Sequence, residues 1–319
     1  MLFDKLSIMI TDRCNAECDF CCLNCSPHGS RVLPEKDIRR VIREARDLDG
    51  LEEICFTGGE PLLYEPLVES CAAFAKELGL RSSVYTNGFW GADERKAKEW
   101  AEKLKEAGVY RMHFSADPFH QKYVPLSSLK TAMQISREAG FANELSIMEI
   151  RGSTHWKEIW AEMPDEVFYA QVVFHPLLPV GRAKHYFTEG QILKLFRPEQ
   201  AQCFYSRMAS LTVDGTYILC CSMYAQNIPG IVLGHMNDVS AAGLERIALS
   251  DDYRFLMLKE GFGWYMRRLR ELGRDVPEKI CFPCVCCEMV FNDPEFMARI
   301  ADEVHERAER IRRETGGRI

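Results

Sequence analysis

Cysteine placement constrains this chain more than any other feature. Cys14, Cys18, Cys21, Cys22 and Cys25 fall within twelve residues, and Cys281, Cys284, Cys286 and Cys287 fall within seven. Cys203, Cys220 and Cys221 lie between them, which leaves Cys55 and Cys71 as isolated thiols that read as core residues. The total of 14 cysteines would suit a disulfide scaffold in a short secreted chain, but this chain has 319 residues. Asp4 and Lys5 also interrupt the N-terminus where a secretory signal needs an unbroken apolar core. No segment reaches the roughly 18 apolar residues that span a bilayer. The expected compartment is therefore the cytoplasm. Thiols stay reduced there, and clustered cysteines serve as metal ligands, catalytic groups or buried thiols.

Composition narrows the classes further. Apolar residues at 47% and charged residues at 27% describe a soluble globular protein and exclude a disordered or fibrous one. Lys plus Arg number 40 against 47 Asp plus Glu, a net charge of −7 with no basic block. Such a surface is poorly suited to nucleic acid or an anionic membrane. The charged run Asp302–Arg313 reads as the solvated face of a helix beginning near Pro294, with i, i+4 pairs.

The first 180 residues alternate strand and helix patterns. Apolar or β-prone runs at Leu6–Ile10, Glu53–Thr57, Ser82–Thr86, Tyr110–Ser115, Glu144–Ile150 and Phe168–His175 predict six strands. Amphipathic segments at Pro34–Leu48, Pro66–Leu78, Asp93–Ala107 and Leu126–Ala139, with a short helix at His155–Glu162, separate them. Gly79, Gly108 and Gly140 stand at helix ends, and Asp93 at a helix start. Alternation of this kind implies an α/β fold with a parallel sheet and right-handed crossovers. Six units do not close an eight-fold barrel, so a partial (β/α)6 TIM-type barrel fits. The pattern changes after Pro179-Val180-Gly181-Arg182, which places a boundary near residue 185 between domains 1–185 and 186–319. The second part carries a hairpin signal at Leu211–Cys220, turning at Asp214-Gly215.

Cys14-x3-Cys18-x2-Cys21 offers three thiolates from one loop. A structural zinc or a capped four-iron cube wants four ligands, so three leave a coordination position open for chemistry. Together with Phe20, this spacing resembles the CxxxCxΦC signature of the radical SAM superfamily, where Φ is aromatic. The resemblance implies a [4Fe–4S] cluster on Cys14, Cys18 and Cys21. Its free iron would chelate S-adenosylmethionine (SAM) and cleave it reductively to a 5′-deoxyadenosyl radical. Gly58-Gly59-Glu60-Pro61 matches the family's GGEP motif, which receives the SAM amino group. Asn87, Ser115 and Asp117 resemble its polar contacts to ribose and methionine. Each of these motifs follows the C-terminal end of an expected parallel strand, where α/β barrels build their sites. Glycines 58 and 59 would let backbone approach a ligand. Cys22 resembles an alternative to Cys21, and Cys25 a bystander. His120 and Tyr123 lie after the fourth strand and could face substrate, although a lone loop histidine is more often a surface or structural residue.

The second cysteine set is similar to the auxiliary-cluster domains called SPASM and twitch, through Cys203, Gly215 and Cys220. The resemblance implies one auxiliary [4Fe–4S] cluster on Cys203, Cys220, Cys281 and Cys284, in a small cysteine-rich domain ending in a C-terminal helix. A structural zinc on the same thiolates, or a second cluster using Cys286 or Cys287, remains open. Cys221 is left over. Adjacent strand residues face opposite ways, so Cys220 and Cys221 cannot both reach one cluster without a bulge. A spare thiol there could give a hydrogen atom to a substrate radical; a buried thiol is the plainer alternative.

Relatives with such domains include maturases of ribosomally made peptides (RiPPs) and small-molecule dehydrogenases. Among these outcomes, L-to-D epimerisation of a peptide α-carbon uses a thiol donor, which Cys221 would supply. Thioether or carbon–carbon crosslinking and small-molecule dehydrogenation are the alternatives, and a non-catalytic zinc or redox-sensing protein is the rival from another class. The bacterial-ferredoxin-like run of a glycyl-radical activating enzyme is absent. With the cluster loop beginning at residue 14, no separate leader-binding domain is expected before it, and the barrel itself or a partner would grip the peptide. The implied partners are a peptide substrate and an electron donor of flavodoxin or ferredoxin type.

Overall fold

Leu6 and Ile8 are fully buried in β1 (Lys5–Met9), and from there helix and strand alternate as the hydrophobic periods require. The structure is a computed structural model describing residues 2–203, 207–220 and 227–316. α1 (Glu35–Ala45) follows Pro34, carries Glu35 and Asp37 in its first turn, and buries Ile38, Val41, Ile42 and Ala45 along one stripe. β2 (Glu53–Thr57), α2 (Glu65–Glu77) and β3 (Arg81–Thr86) come next. Asp93 caps α3 (Glu94–Glu106) by accepting from the Lys96 amide at 3.1 Å. β4 (Val109–Ser115), a one-turn α4 (Pro118–Gln121), α5 (Leu126–Glu138), β5 (Ala142–Glu149), α6 (His155–Glu162), α7 (Pro164–Phe168) and β6 (Gln171–Pro176) complete the alternation.

The six strands pair parallel in the order β6-β5-β4-β3-β2-β1. β6 ends the sheet among the described residues, so the curved sheet stays open as six units require. The last strand differs from its expected span. Pro164 and the acidic pair Asp165 and Glu166 start a helical turn, so Phe168 closes α7 and the strand begins only at Gln171. At the N-terminal strand ends, Lys5 pairs with Glu53 at 2.7 Å and the Tyr110 hydroxyl donates to Glu53 at 2.6 Å. The functional residues collect at the opposite, C-terminal ends.

After α8 (Ala183–Tyr186), three further strands extend the same sheet. β7 (Met208–Leu211) runs parallel to β1, with Lys5 opposite Met208, and β8 (Thr216–Ile218) and β9 (Val232–His235) add antiparallel. The β7–β8 hairpin turns where Asp-Gly predicts: the Asp214 carboxylate accepts from the Thr216 amide at 3.2 Å, and Gly215 takes φ +90°. The helices α9 (Leu244–Ser250), α10 (Asp252–Glu260), α11 (Gly263–Glu271), α12 (Cys284–Phe291) and α13 (Pro294–Thr315) pack beside it. Asp293 caps α13, whose buried stripe Phe296, Ile300, Val304, Ala308 and Ile311 explains why so charged a helix stays docked. Cys55 and Cys71 are fully buried, as their isolation predicts. Among the described residues no helix is long and apolar enough to cross a membrane.

Candidate active site

The loop between β1 and α1 carries Cys14, Cys18 and Cys21 across the mouth of the sheet. Its path is set by backbone hydrogen bonds: Cys14 N–H to Ser26 O at 3.0 Å, and Cys21 N–H to Cys18 O at 3.0 Å. The turn after β2 is pressed against it. Gly59 N–H donates to Thr11 O at 2.8 Å and Glu60 N–H to Arg13 O at 2.9 Å. A Cβ on Gly58 would lie 2.4 Å from Thr11 O, and one on Gly59 would lie 2.1 Å from Arg13 O. The chain's own cysteine loop thus requires the glycines here, and both also line the cavity beside the three cysteines.

Glu60 is 1% exposed, and both its oxygens are spoken for. One accepts from Leu62 N–H at 3.0 Å and the other from Asn87 N–H at 2.8 Å. Burial pushes its carboxyl up to about 7, against these amides, which favour the charge. Glu60 thus ties the β2 turn, opened by the buried Pro61, to the β3 turn. Asn87 reaches back in the other direction, donating to the Asn15 side chain at 2.8 Å beside Cys14. Glu60→Gln places an NH2 or a single shared oxygen against two N–H donors. One buried donor is then unmatched, at a cost of about 1–3 kcal/mol. If this turn holds the nucleotide as the motif implies, SAM binds about tenfold more weakly, equivalent to about 1.4 kcal/mol. Equilibrium dialysis with unchanged affinity would show that the tie is not used for binding.

Asp117 stands at the start of α4. It caps α4, accepting from Phe119 N–H at 3.1 Å and His120 N–H at 3.0 Å, while its second oxygen meets His120 Nδ1 at 2.8 Å. His120 is the residue that the sequence undervalued. Its ring lies edge-on to Phe20 at 5.3 Å and lines the cavity beside the three cysteines. Burial opposes a charge there, yet the Asp117 carboxylate and the Cys18 sulfur hold His120 protonated well above its ordinary range. The Asp-x-x-His spacing across an N-cap was the available signal. Ser115 stands where expected and faces the same cavity.

Two adjoining hollows result. One, of about 200 Å3, is bounded by Cys14, Cys18, Cys21, Gly59, Asn87 and Ser115. The other, of about 350 Å3, is mostly apolar and lies between the loop residues Phe20 and Cys22 and, from the C-terminal part, Phe282 and Cys284. Cys22 faces both. Burial and the neighbouring Cys21 and Cys220 push its thiol up to about 12.

Cys220, Cys203 and Cys281 lie within electrostatic range of Cys284. Burial, then these three neighbours, raise the Cys284 thiol well above its ordinary value. One further thiol joins them. Cys287 sits one turn along α12 from Cys284, within electrostatic reach of Cys203, Cys220 and Cys284, and 3.8 Å from the Met257 sulfur. Cys286 points elsewhere, toward Pro198 O at 3.9 Å. Cys221 lies outside the described residues. Among those described, no three His, Cys, Asp or Glu side chains converge closely enough for one metal ion. A cube engages each thiolate through a different iron, and the donor set of three thiols over a glycine turn fits such a cluster.

Residues 8–153 match the Radical SAM superfamily, and this part of the chain is a radical SAM domain. Over 91% of this chain, it is 25% identical to YydG of Bacillus subtilis (strain 168), a protein provisionally named for peptide biosynthesis, and the match spans 92% of that protein. It is 33% identical to the GTP 3′,8-cyclase of Aquifex aeolicus (strain VF5) over 48% of this chain and 52% of the cyclase. Among solved structures, native anSMEcpe with bound AdoMet and the Kp18Cys peptide superposes with a TM-score of 0.58 at 12% identity, covering 96% of this chain and 99% of that one. At that identity the likeness is one of fold.

Proposed function

We propose that this radical SAM enzyme modifies a ribosomally made peptide, and that the modification is L-to-D epimerisation at an α-carbon. The observation that carries the peptide reading is the nearly full-length similarity to a protein named for peptide biosynthesis. The apolar hollow of about 350 Å3 beside the cluster loop supports it, since it suits one residue of a longer chain entering from the open mouth. The Cys14, Cys18 and Cys21 thiolates would hold the [4Fe–4S] cluster, and Cys203, Cys220, Cys281 and Cys284 an auxiliary one. The bound cluster and SAM supply a 5′-deoxyadenosyl radical.

The chain's own residues do the rest. Phe20, Met148 and Leu178 exclude water from the hollow, so that a substrate radical meets few competing donors. The substrate α-carbon would give up one hydrogen atom in the hollow. It would regain one from a thiol, the part we assign to Cys221. The Cys221 thiyl then takes one electron and one proton, the electron coming from a low-potential donor of flavodoxin or ferredoxin type. The substrate is therefore redox-neutral while SAM is consumed. A reducing cytoplasm suits this thiol chemistry.

In heavy water the product should gain one deuterium at the inverted carbon, read by mass spectrometry. A product lighter by two hydrogens points to dehydrogenation, or to a crosslink, and ends the epimerase reading. Cys221→Ala should leave 5′-deoxyadenosine formation within about twofold of the parent while D-residue formation falls to background. Retained epimerisation removes Cys221 from the mechanism.

A further inference from the structure

The loop that presents the three cysteines has little regular structure of its own, and its clamp comes from the far edge of the sheet. Downstream of β6, the chain returns as Val180-Gly181-Arg182 and lies against the loop. Gly181 adopts φ +55°, and a Cβ there would stand 2.4 Å from Cys21 O and 2.7 Å from Cys22 Cα. That contact brings Arg182 in at close range. Its backbone N–H donates to Cys21 O at 3.1 Å. Its guanidinium Nε donates to Cys18 O at 2.9 Å, and Nη2 to Cys25 O at 2.6 Å. One residue therefore hydrogen-bonds the carbonyls of Cys18, Cys21 and Cys25. A planar fork with fixed donor directions is suited to such a task, and a point-charge ammonium is not.

The charge is also poorly compensated. The Arg182 side chain is 13% exposed, and its ion pair among the described residues is a long 3.8 Å contact to Glu17, which is 50% exposed. A cluster loses a unit of positive charge on reduction, so a nearby fixed cation stabilises the reduced state.

We propose that Arg182 is a positioning residue of the radical SAM site, which fixes the spacing of the cysteine loop through three carbonyls and raises the reduction potential of the cluster held there. The proposal rests on the cluster binding at Cys14, Cys18 and Cys21.

The test is an anaerobic redox titration of the reconstituted full chain and of Arg182→Gln and Arg182→Lys. It follows the electron paramagnetic resonance signal that changes on adding SAM, which separates this cluster from any auxiliary one. Iron release to a chelator is measured in parallel. Arg182→Gln should move the midpoint to a more negative potential and release iron several-fold faster. Arg182→Lys keeps the charge and loses the fork, so it should keep a potential nearer the parent's while still releasing iron faster. Loss of the SAM-responsive signal in Arg182→Gln, with a native circular dichroism spectrum, also supports the proposal. Parental potential and parental iron release in both variants overturn it. A parent chain with no SAM-responsive signal overturns the assignment of the loop itself, a separate failure.

Discussion

Cys18→Ala will reduce 5′-deoxyadenosine formation to background, a loss of at least about a thousandfold, or about 4 kcal/mol in barrier terms. Cys18 is 6% exposed and packs with Ala16 and Phe119, and its carbonyl receives both Cys21 N–H and the Arg182 guanidinium. The backbone frame of the loop therefore survives the substitution, and what disappears is one thiolate of three. A cube held by two thiolates has two open irons and is lost to solvent or chelators. The measurement is chromatography of 5′-deoxyadenosine under dithionite, with iron and sulfide content alongside. Cys71→Ala is the control. That thiol is also fully buried, but it sits in α2 within the core and should change cleavage by less than about twofold. Comparable losses in both variants would falsify the assignment of the loop as the cluster site.

Gly59→Ala carries the second large effect, by a different route. The added Cβ would lie 2.1 Å from the Arg13 carbonyl oxygen and 3.0 Å from the Cys14 amide nitrogen. Both obstacles are backbone, so no side chain can swing aside. Relief requires the β2 turn to separate from the cluster loop. That breaks the Gly59–Thr11 and Glu60–Arg13 hydrogen bonds and draws Glu60 from Asn87. Overpacking of this kind costs about 3 kcal/mol, and in a chain of this size the melting midpoint should fall by roughly 4–5 °C. SAM cleavage should fall further than stability alone dictates, because the displaced segment holds Cys14. Scanning calorimetry and cleavage assays read the two effects separately. Gly79→Ala is the matched comparison, since nothing stands within 4 Å of its Cβ position, although its φ of +80° keeps a modest backbone cost. A Gly59 variant no worse than the Gly79 variant would mean that the turn and the loop are not rigidly coupled.

These two positions show how unevenly the sequence discloses its reasons. The cysteine spacing marks the candidate ligands directly, because metal-binding loops depend on local intervals along the chain. The glycine pair is equally visible, but its reason is not. A tight approach to ligand and a tight approach to another loop leave the same mark in a sequence. His120 and Arg182 were harder still. In sequence His120 reads as a surface or structural residue, and only the capping turn of Asp117 brings it toward Cys18. Arg182 looked like part of a domain boundary. It reaches a carbonyl 164 residues earlier in the chain, a separation across which sequence periodicity carries no information.

The sequence by itself determined the alternation of strands and helices, the hairpin at Asp214-Gly215, the buried stripes of α1 and α13, and the set of thiols from which the cluster ligands are drawn. Each is written in short intervals, in period 2, period 3.6 or a cysteine gap, and each is enforced by local sterics and burial. Tertiary structure alone decided that β7 extends the sheet parallel to β1 with β8 and β9 antiparallel beyond it, that Cys287 packs against the Met257 sulfur, and that one arginine beyond β6 hydrogen-bonds the cysteine loop. Those facts depend on which distant backbone groups meet when the sheet curves, and a linear pattern does not encode that meeting.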